Sequence, residues 1–221
     1  MFEHIHPYAP FNIEEATKLI VGTLPPPRFT TGELLKDDVD FCYGSKNGML
    51  WPILDQIFSL NLKYDNSQSA IDQRLNFLKK HKIGVCDIVA SARREKIDAS
   101  DLGMQQVELR DLISILKKHT QINTLLFTGG NSKNGPEYFF RRQAKENGIK
   151  LQVISAEVPR IYSFEIAGRI VKTVSLTAPS GAANRAIGSM KSYQLQKDIN
   201  PQYTTFDFRV NQYKPYFTED Y

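Results

Sequence analysis

The segment LIVGTLPPPRF, residues 19–29, is an apolar run that ends at a glycine and continues into three prolines. The apolar run is typical of a buried strand, and Gly22 lets the backbone turn where a Cβ atom would clash. Pro25, Pro26 and Pro27 fix φ and cannot extend a strand. Two explanations are open: a turn needed only for packing, or a rigid wall beside a ligand at the strand's carboxyl end, where open α/β sheets bind ligands.

Strand and helix patterns alternate on both sides of this segment. Strands are predicted at 17–22, 83–90, 122–130 and 150–155, with a hairpin or two strands over 160–178 around Ala167-Gly168. Helices are predicted at 49–60, 67–81, 107–119, 136–148 and about 182–197, with Ser69 as the expected cap of the second. This alternation indicates an α/β fold, a three-layer α/β/α sandwich with a mainly parallel central sheet. We expect one domain over residues 1–221.

Composition limits the compartment and the partners. The 221 residues are 41% hydrophobic and 24% charged, as in globular proteins. The sequence shows neither an apolar run of membrane-spanning length nor a signal-peptide pattern, so we expect a cytosolic protein, associated with the nucleoid in a bacterium. We also expect a monomer. The net charge of +4 allows a polyanionic partner but does not demonstrate one.

The cysteines and histidines predict no metal and no cofactor. Cys42 and Cys86 are too few for a disulfide framework and lie in apolar surroundings, which favours buried thiols. The histidines lack metal-ligand spacing. His4 and His6 could share the face of a strand, but we expect a flexible N-terminus.

Four loops should meet at one rim of the sheet, at 22–48, 87–104, 128–136 and 176–185. In the first, Phe41 and Tyr43 precede Asn47, and an aromatic face beside an amide is what binding of a flat heterocycle requires. The alternative, which these residues alone favour, is that both rings pack on the domain edge and Asn47 belongs to a turn.

Two further stretches carry polar groups to the same rim. Asp87 follows an apolar strand, and an unpaired carboxylate there would be costly. It is either the buried partner of Arg93, Arg94 or a backbone amide, or an acceptor directed into a pocket. In LTAPSGAANRAIGSMKSYQL, residues 176–195, Ser180, Gly181 and a helix start could hold a phosphate, or could form an ordinary capped helix with solvated basic residues.

Taken in order, these segments resemble the uracil-DNA glycosylase superfamily, and within it the mismatch-specific uracil or thymine glycosylases and the hypoxanthine glycosylases. LIVGTLPP is similar to the first motif, FCYGSKNGMLWPIL to its continuation, IGVCDIVASARREKIDASDL to the middle segment, LLFTGG to the next strand, and APSGAANR to the second motif. The resemblance spans about residues 17–197. The aromatic tail, residues 203–221, lies outside it and is expected to pack on the domain.

The resemblance implies a DNA glycosylase of base-excision repair, which flips a deaminated base, uracil or hypoxanthine, out of duplex or single-stranded DNA and hydrolyses its N-glycosidic bond. It implies a pocket wall at Gly22, Thr23 and Pro25, stacking on the base by Phe41 or Tyr43, and base recognition by Asp87. It also implies that Ser180 and Gly181 contact the phosphate backbone and that Ala183, Asn184 and Arg185 fill the vacated stack. Lys191 is a further expected DNA contact.

One residue departs from the motif pattern. Many relatives have Asp or Asn before the first-motif proline to position water, and here that residue is Leu24. Hypoxanthine-type relatives use an Asn in the next loop, where Gly48 falls here, with Asn47 one residue earlier. Asn47 is therefore the predicted catalytic residue, and Asp37, Asp38 and Asp40 are the next candidates.

Two rival functions stay open. The same fold could recognise damaged or single-stranded nucleic acid without cleaving it, as Leu24 favours. A hydrolase of free nucleosides or another small molecule is the weaker rival.

Overall fold

The computed structural model describes residues 1–218. Its strands are β1 (Phe2–Ile5), β2 (Lys18–Val21), β3 (Ile83–Val85), β4 (Val89–Arg94), β5 (Gln105–Leu109), β6 (Thr124–Phe127), β7 (Gln152–Ser155), β8 (Arg160–Ile166) and β9 (Arg169–Ser175). Its helices are α1 (Pro27–Thr31), α2 (Leu50–Phe58), α3 (Gln68–Lys80), α4 (Leu112–Lys118), α5 (Pro136–Glu146), α6 (Asn184–Gly188), α7 (Lys191–Ile199) and α8 (Thr205–Thr218).

The central sheet has six strands in the order β3-β2-β6-β9-β8-β7. The first four strands are parallel, and β8 and β7 continue the sheet in antiparallel fashion. The predicted α/β class with a mainly parallel sheet is confirmed, as is the hairpin around Ala167-Gly168.

The central strands feed two cores, one on each face of the sheet. Leu19 and Val21 belong to a core that includes residues of α4 and α5. Ile20, between them, belongs to a core that includes residues of α2, α3 and α8. Because neighbouring residues of a strand point to opposite faces, a strand buried on both faces is a continuous apolar run.

A second, three-stranded antiparallel sheet has the order β1-β4-β5 and overturns three predictions. The strand predicted over 83–90 is two strands in different sheets, with Asp87 between them. The first part of the helix predicted over 107–119 is strand β5, and α4 begins only after Asp111, whose carboxylate accepts from the Ser114 amide at 2.9 Å. The prediction of a flexible N-terminus is wrong as well, because residues 2–5 form β1 and pair with β4.

Two helix predictions also need correction. Ser67, not Ser69, caps α3, and its hydroxyl accepts from the Ala70 amide at 3.2 Å. The helix predicted over 182–197 is a 3₁₀ turn at Gly181–Ala183 followed by α6 and α7, with a break at residues 189–190.

The aromatic tail packs on the domain as α8. Phe208, Arg209, Tyr213 and Phe217 are buried along it. The packing prediction is confirmed for residues 203–218, and residues 219–221 lie outside the described residues. No helix in the described part of the chain is both long and apolar enough to cross a membrane.

Candidate active site

A cleft of about 380 Å³ opens where β2, β3, β6 and β9 end. This volume lies within the usual range for small-molecule sites. The lining comes mainly from the loops that follow these strands, with contributions from the N-terminal segment and the β4–β5 loop. Predicted site residues in the lining are Thr23, Pro25, Tyr43, Asn47, Asp87, Ser180 and Gly181.

The buried side of the cleft, which we call the floor, consists of the lining residues His6, Tyr43 and Asp87 and of Gly22, which is absent from the lining but donates its amide to Asp87. Asp87 Oδ1 accepts from the Gly22 amide at 2.6 Å and from the Tyr43 hydroxyl at 2.5 Å, and Oδ2 lies 2.9 Å from His6 Nε2. Of the buried partners weighed from the sequence, the backbone amide is present, while Arg94 donates elsewhere.

His6 is held in one tautomer by its own hydrogen bonds. Its Nδ1 accepts from the Tyr8 amide at 3.2 Å, so the ring proton lies on Nε2 and is donated to Asp87. His4 lies nearby and accepts on Nδ1 from Arg94 Nε at 2.8 Å. Burial and then the Arg94 charge lower the pKa of His4 to about 4. The sequence missed both roles because an apolar-polar N-terminal segment gives no signal of its distant partners.

Gly22 is the point at which the floor tolerates no side chain. A Cβ atom there would lie 2.8 Å from Thr128 Oγ1 and 2.9 Å from Asp87 Oδ1, and would overlap the Tyr43 hydroxyl. Burial of that hydroxyl, and then the Asp87 charge, raise the pKa of Tyr43 well above its usual range. Tyr43 therefore stays protonated and donates to Asp87.

The loop before α2 is organised by Asp38, not left open for catalysis. Asp38 accepts from the Arg28 guanidinium at 2.6 and 2.8 Å and from the amides of Leu35 and Lys46. Burial raises its pKa, but these donors outweigh burial and bring the pKa to about 2. Asp37, Asp38 and Asp40 are all absent from the cleft lining.

Phe41 and Asn47 lie in contrasting places on the same loop. The Phe41 ring packs in the core against Phe11 and Trp51, with centroids 6.0 and 6.1 Å away, and is absent from the cleft lining. Asn47 is exposed at the opening of the cleft, and within residues 1–218 its carboxamide makes no hydrogen bond. Of the two aromatic rings predicted to stack on a base, Tyr43 alone reaches the cleft.

Asp101 lines the cleft, although the sequence analysis does not predict a role for it. Its Oδ1 accepts from the Thr23 hydroxyl at 2.7 Å. Burial raises the pKa of Asp101 to about 6, against the lowering effects of the Thr23 hydrogen bond and of Arg94. The available signal was the stretch DASDL within the middle segment, although its two carboxylates cannot be distinguished without the fold.

The second-motif loop, residues 177–181, is held by α8. Arg209 donates to the carbonyl oxygens of Ala178 at 3.0 Å and Ser180 at 2.7 Å. Gln212 accepts from the Thr177 amide, and Tyr213 donates to the Thr177 carbonyl oxygen, both at 2.8 Å. Helix α8 lies outside the part of the chain that resembles the family, yet it positions the second-motif loop, which lies within that part.

The first and second motifs also contact each other directly. The Met49 amide donates to the Pro179 carbonyl oxygen at 2.8 Å, and Gly48 forms an antiparallel bridge with Ser180. Asn184, Arg185 and Lys191 are exposed beyond this loop and are absent from the cleft lining. We call Asn47, Asp101 and Ser180 the mouth of the cleft.

Comparison with known proteins identifies the fold. No protein-family model matches the sequence, and no curated protein matches it either. Among solved structures, the chain is similar to the solution NMR structure of a proposed uracil DNA glycosylase from Methanosarcina acetivorans, with 16% identity and a TM-score of 0.52. The match covers 95% of this chain and 99% of that one, so the fold similarity extends over the whole domain.

Proposed function

We propose that this chain is a DNA glycosylase that hydrolyses the N-glycosidic bond of a deaminated base, uracil or hypoxanthine. The observation that carries the proposal is a single cleft, at the carboxyl ends of the parallel strands, in which Tyr43 and Asp87 face Asn47 and the second-motif loop. The similar fold of a proposed uracil DNA glycosylase supports it. We also propose that the chain is a monomer and acts where the cell holds its DNA.

The floor is suited to receive a flipped base. Tyr43 offers its ring, and Asp87 offers a carboxylate that already accepts three hydrogen bonds. A carboxylate has about four lone-pair positions, so one acceptor position is left for an N–H group of the base. Uracil and hypoxanthine both carry such a group beside a carbonyl oxygen.

The mouth is suited to the sugar and the phosphates. Cleavage of the C–N bond leaves negative charge on the base and positive charge on the sugar, and water then attacks the sugar carbon. The Asn47 carboxamide can accept a hydrogen bond from that water. The Ser180 hydroxyl and the Gly181 amide line the same cleft as Asn47 and can bind a backbone phosphate. Arg185 is close to them in sequence.

The proposal is tested by incubating the protein with labelled oligonucleotides, duplex and single-stranded, that carry uracil, hypoxanthine or xanthine. Alkali then cleaves any abasic site, and undamaged oligonucleotides are the control. We expect strand cleavage with uracil or hypoxanthine. Binding without cleavage across the panel would support the rival that Leu24 favours, since this apolar side chain lines the cleft. Hydrolysis of free nucleosides alone would support the small-molecule hydrolase.

The role of Asp87 is tested by its amide variant. Asp87→Asn replaces an acceptor with a group that also donates, so the ratio of cleavage rates between uracil and hypoxanthine should change. Thr128→Val is the matched control, because Thr128 lies 3.3 Å from the Tyr43 hydroxyl but, within residues 1–218, makes no hydrogen bond with the Asp87 carboxylate. An unchanged ratio in Asp87→Asn would remove Asp87 from base recognition.

A further inference from the structure

We infer that Asp101 is the catalytic carboxylate of this cleft, which stabilises the positive charge that develops on the sugar. This inference rests on the proposed function. It assigns to a residue of the β4–β5 loop the task for which Leu24, in the first motif, has no suitable group.

The position of Asp101 follows from one hydrogen bond. The Thr23 hydroxyl donates to Asp101 Oδ1 at 2.7 Å, and Thr23 directly precedes Leu24. The carboxylate therefore reaches the first motif in space although it lies 78 residues later in the chain. Thr23, Leu24 and Asp101 line the same cleft as Tyr43 and Asp87.

The backbone around Asp101 is fixed by two buried side chains. Asn134 Nδ2 donates to the carbonyl oxygens of Asp101 at 2.9 Å and Met104 at 3.0 Å. Arg94 Nη1 donates to the Ser100 carbonyl oxygen at 2.5 Å, while its Nε is bound to His4. A loop held in this way keeps the carboxylate in place before substrate arrives, which is what electrostatic catalysis requires.

One oxygen of the Asp101 carboxylate can still accept a hydrogen bond. Within residues 1–218, Asp101 Oδ2 makes no hydrogen bond or ion pair. The charges around Asp101 are those of Arg94, which favours its ionised form, and Asp87, which opposes it. Burial raises the pKa of Asp101 to about 6, so the group is ionised at neutral pH but poorly solvated. A cation placed beside it would restore the lost stabilisation.

The chemical step balances with these groups. As the bond from the sugar carbon to the base nitrogen breaks, its electron pair leaves with the base, and the sugar becomes a cation. Water bonds to that carbon and loses a proton, which ends on the base, so both products are neutral. Asp101 forms no covalent bond and lowers the energy of the cation by its charge.

The inference is tested by affinity for a charge mimic. Two duplexes are compared in which the target nucleotide is replaced by a neutral tetrahydrofuran or by a pyrrolidine, whose protonated nitrogen imitates the sugar cation. The wild-type protein should bind the pyrrolidine duplex about 10-fold more tightly, a preference of about 1.4 kcal/mol for one partly buried charge pair. Asp101→Asn keeps an oxygen for Thr23 and should bind both duplexes equally.

Asp98→Asn is the matched control, because Asp98 is a carboxylate of the same loop that is 48% exposed and lies outside the cleft lining. It should keep the preference. The wild-type preference should also fall as the pH drops below about 6, as Asp101 gains its proton.

The outcomes separate this inference from the proposed function. Cleavage of a deaminated base with the same pyrrolidine preference in wild type and Asp101→Asn would overturn the inference alone. A preference that depends on Asp101 in a protein that cleaves no base would support a cation-binding carboxylate and overturn the hydrolysis. Binding of neither duplex would overturn both.

Discussion

The floor and the mouth of the cleft differ in how far their polar groups are already used. On the floor, Asp87 accepts three hydrogen bonds from the protein, and Gly22 has no room for even one carbon atom. At the mouth, within the described residues, the Asn47 carboxamide and one oxygen of Asp101 have no hydrogen-bond partner.

This difference separates two kinds of contribution. The polar groups of the floor already bond to one another in the fold, so changes there should lower the free energy of unfolding. The mouth keeps polar groups that the fold does not need, so changes there should alter binding or chemistry while the fold is retained or even stabilised.

Gly22→Ala should have the largest effect and breaks the floor. The added carbon would lie 2.8 Å from Thr128 Oγ1 and 2.9 Å from Asp87 Oδ1, and would displace Tyr43. We expect the free energy of unfolding to fall by about 3 kcal/mol, as in other overpacked cores. Urea unfolding measures this loss. Gly188→Ala is the control, because its Cβ would meet nothing within 4 Å, and an equal loss in both variants would contradict the account of the floor.

Asp101→Asn, a change at the mouth, should stabilise the protein at neutral pH, in contrast to the change on the floor. Its folded-state pKa of about 6 exceeds the usual 3.8, so its favourable contribution is complete below pH 4 and is lost as the pH rises through 6. Wild-type stability should therefore contain a decline of about 1 to 2 kcal/mol over this range, allowing for partial exposure, which the variant lacks.

Urea unfolding of both proteins from pH 4 to 8 measures this difference. Asp111→Asn is the control, because hydrogen bonds from Ser114 lower the pKa of Asp111, so its contribution is complete above pH 4 and this variant should parallel wild type from pH 4 to 8. Parallel pH profiles for wild type and Asp101→Asn would show that burial does not strain this carboxylate.

Asn47→Ala should leave the fold intact and slow the reaction. Because the side chain is exposed and makes no hydrogen bond within residues 1–218, we expect unchanged unfolding. Loss of a water-positioning group acts mainly on the transition state, so single-turnover cleavage should fall about 10-fold with little change in binding. Asn131→Ala, an exposed asparagine outside the cleft lining, should match wild type. Equal cleavage rates in wild type, Asn47→Ala and Asn131→Ala would show that a group other than Asn47 positions the water.

The smallest effect is expected from Arg185→Ala combined with Lys191→Ala. Both residues are exposed beyond the second-motif loop, and neutralising phosphates with them would release counterions. DNA binding should weaken about threefold to tenfold in all sequences, with a shallower salt dependence. Lys79→Ala with Lys80→Ala removes the same charge at the end of α3, the helix that leads into the amino end of β3. Equal weakening in both double variants would indicate a general charge effect.

The central sheet could be predicted because its signals are local. Residues 19–21 form a continuous apolar run, which a strand buried on both faces requires, and Gly22 marks its end. Because these signals are local, the single strand predicted over 83–90 is wrong. An apolar run that crosses from one sheet to another resembles a single strand, and only the partners of Asp87 show where it divides.

The cleft could be located from the sequence, but its hydrogen bonds could not. Loops that follow parallel strands meet at one rim whatever their residues, so Tyr43, Asp87 and Ser180 could be placed together. The partners His6 and Asp101 lie 81 and 78 residues from the groups they contact. No spacing rule covers such distances, which depend on the packing of β1 and of the β4–β5 loop.

The contacts from α8 bear on the order in which the chain is synthesised. His6 leaves the ribosome before the strands of the central sheet, whereas Arg209, Gln212 and Tyr213, which hold residues 177–180, leave it after them. A nascent chain that has completed the central sheet still lacks the helix that orients its proposed phosphate-binding loop. Under the proposed function, an unfinished copy would therefore have no complete surface with which to engage the chromosome.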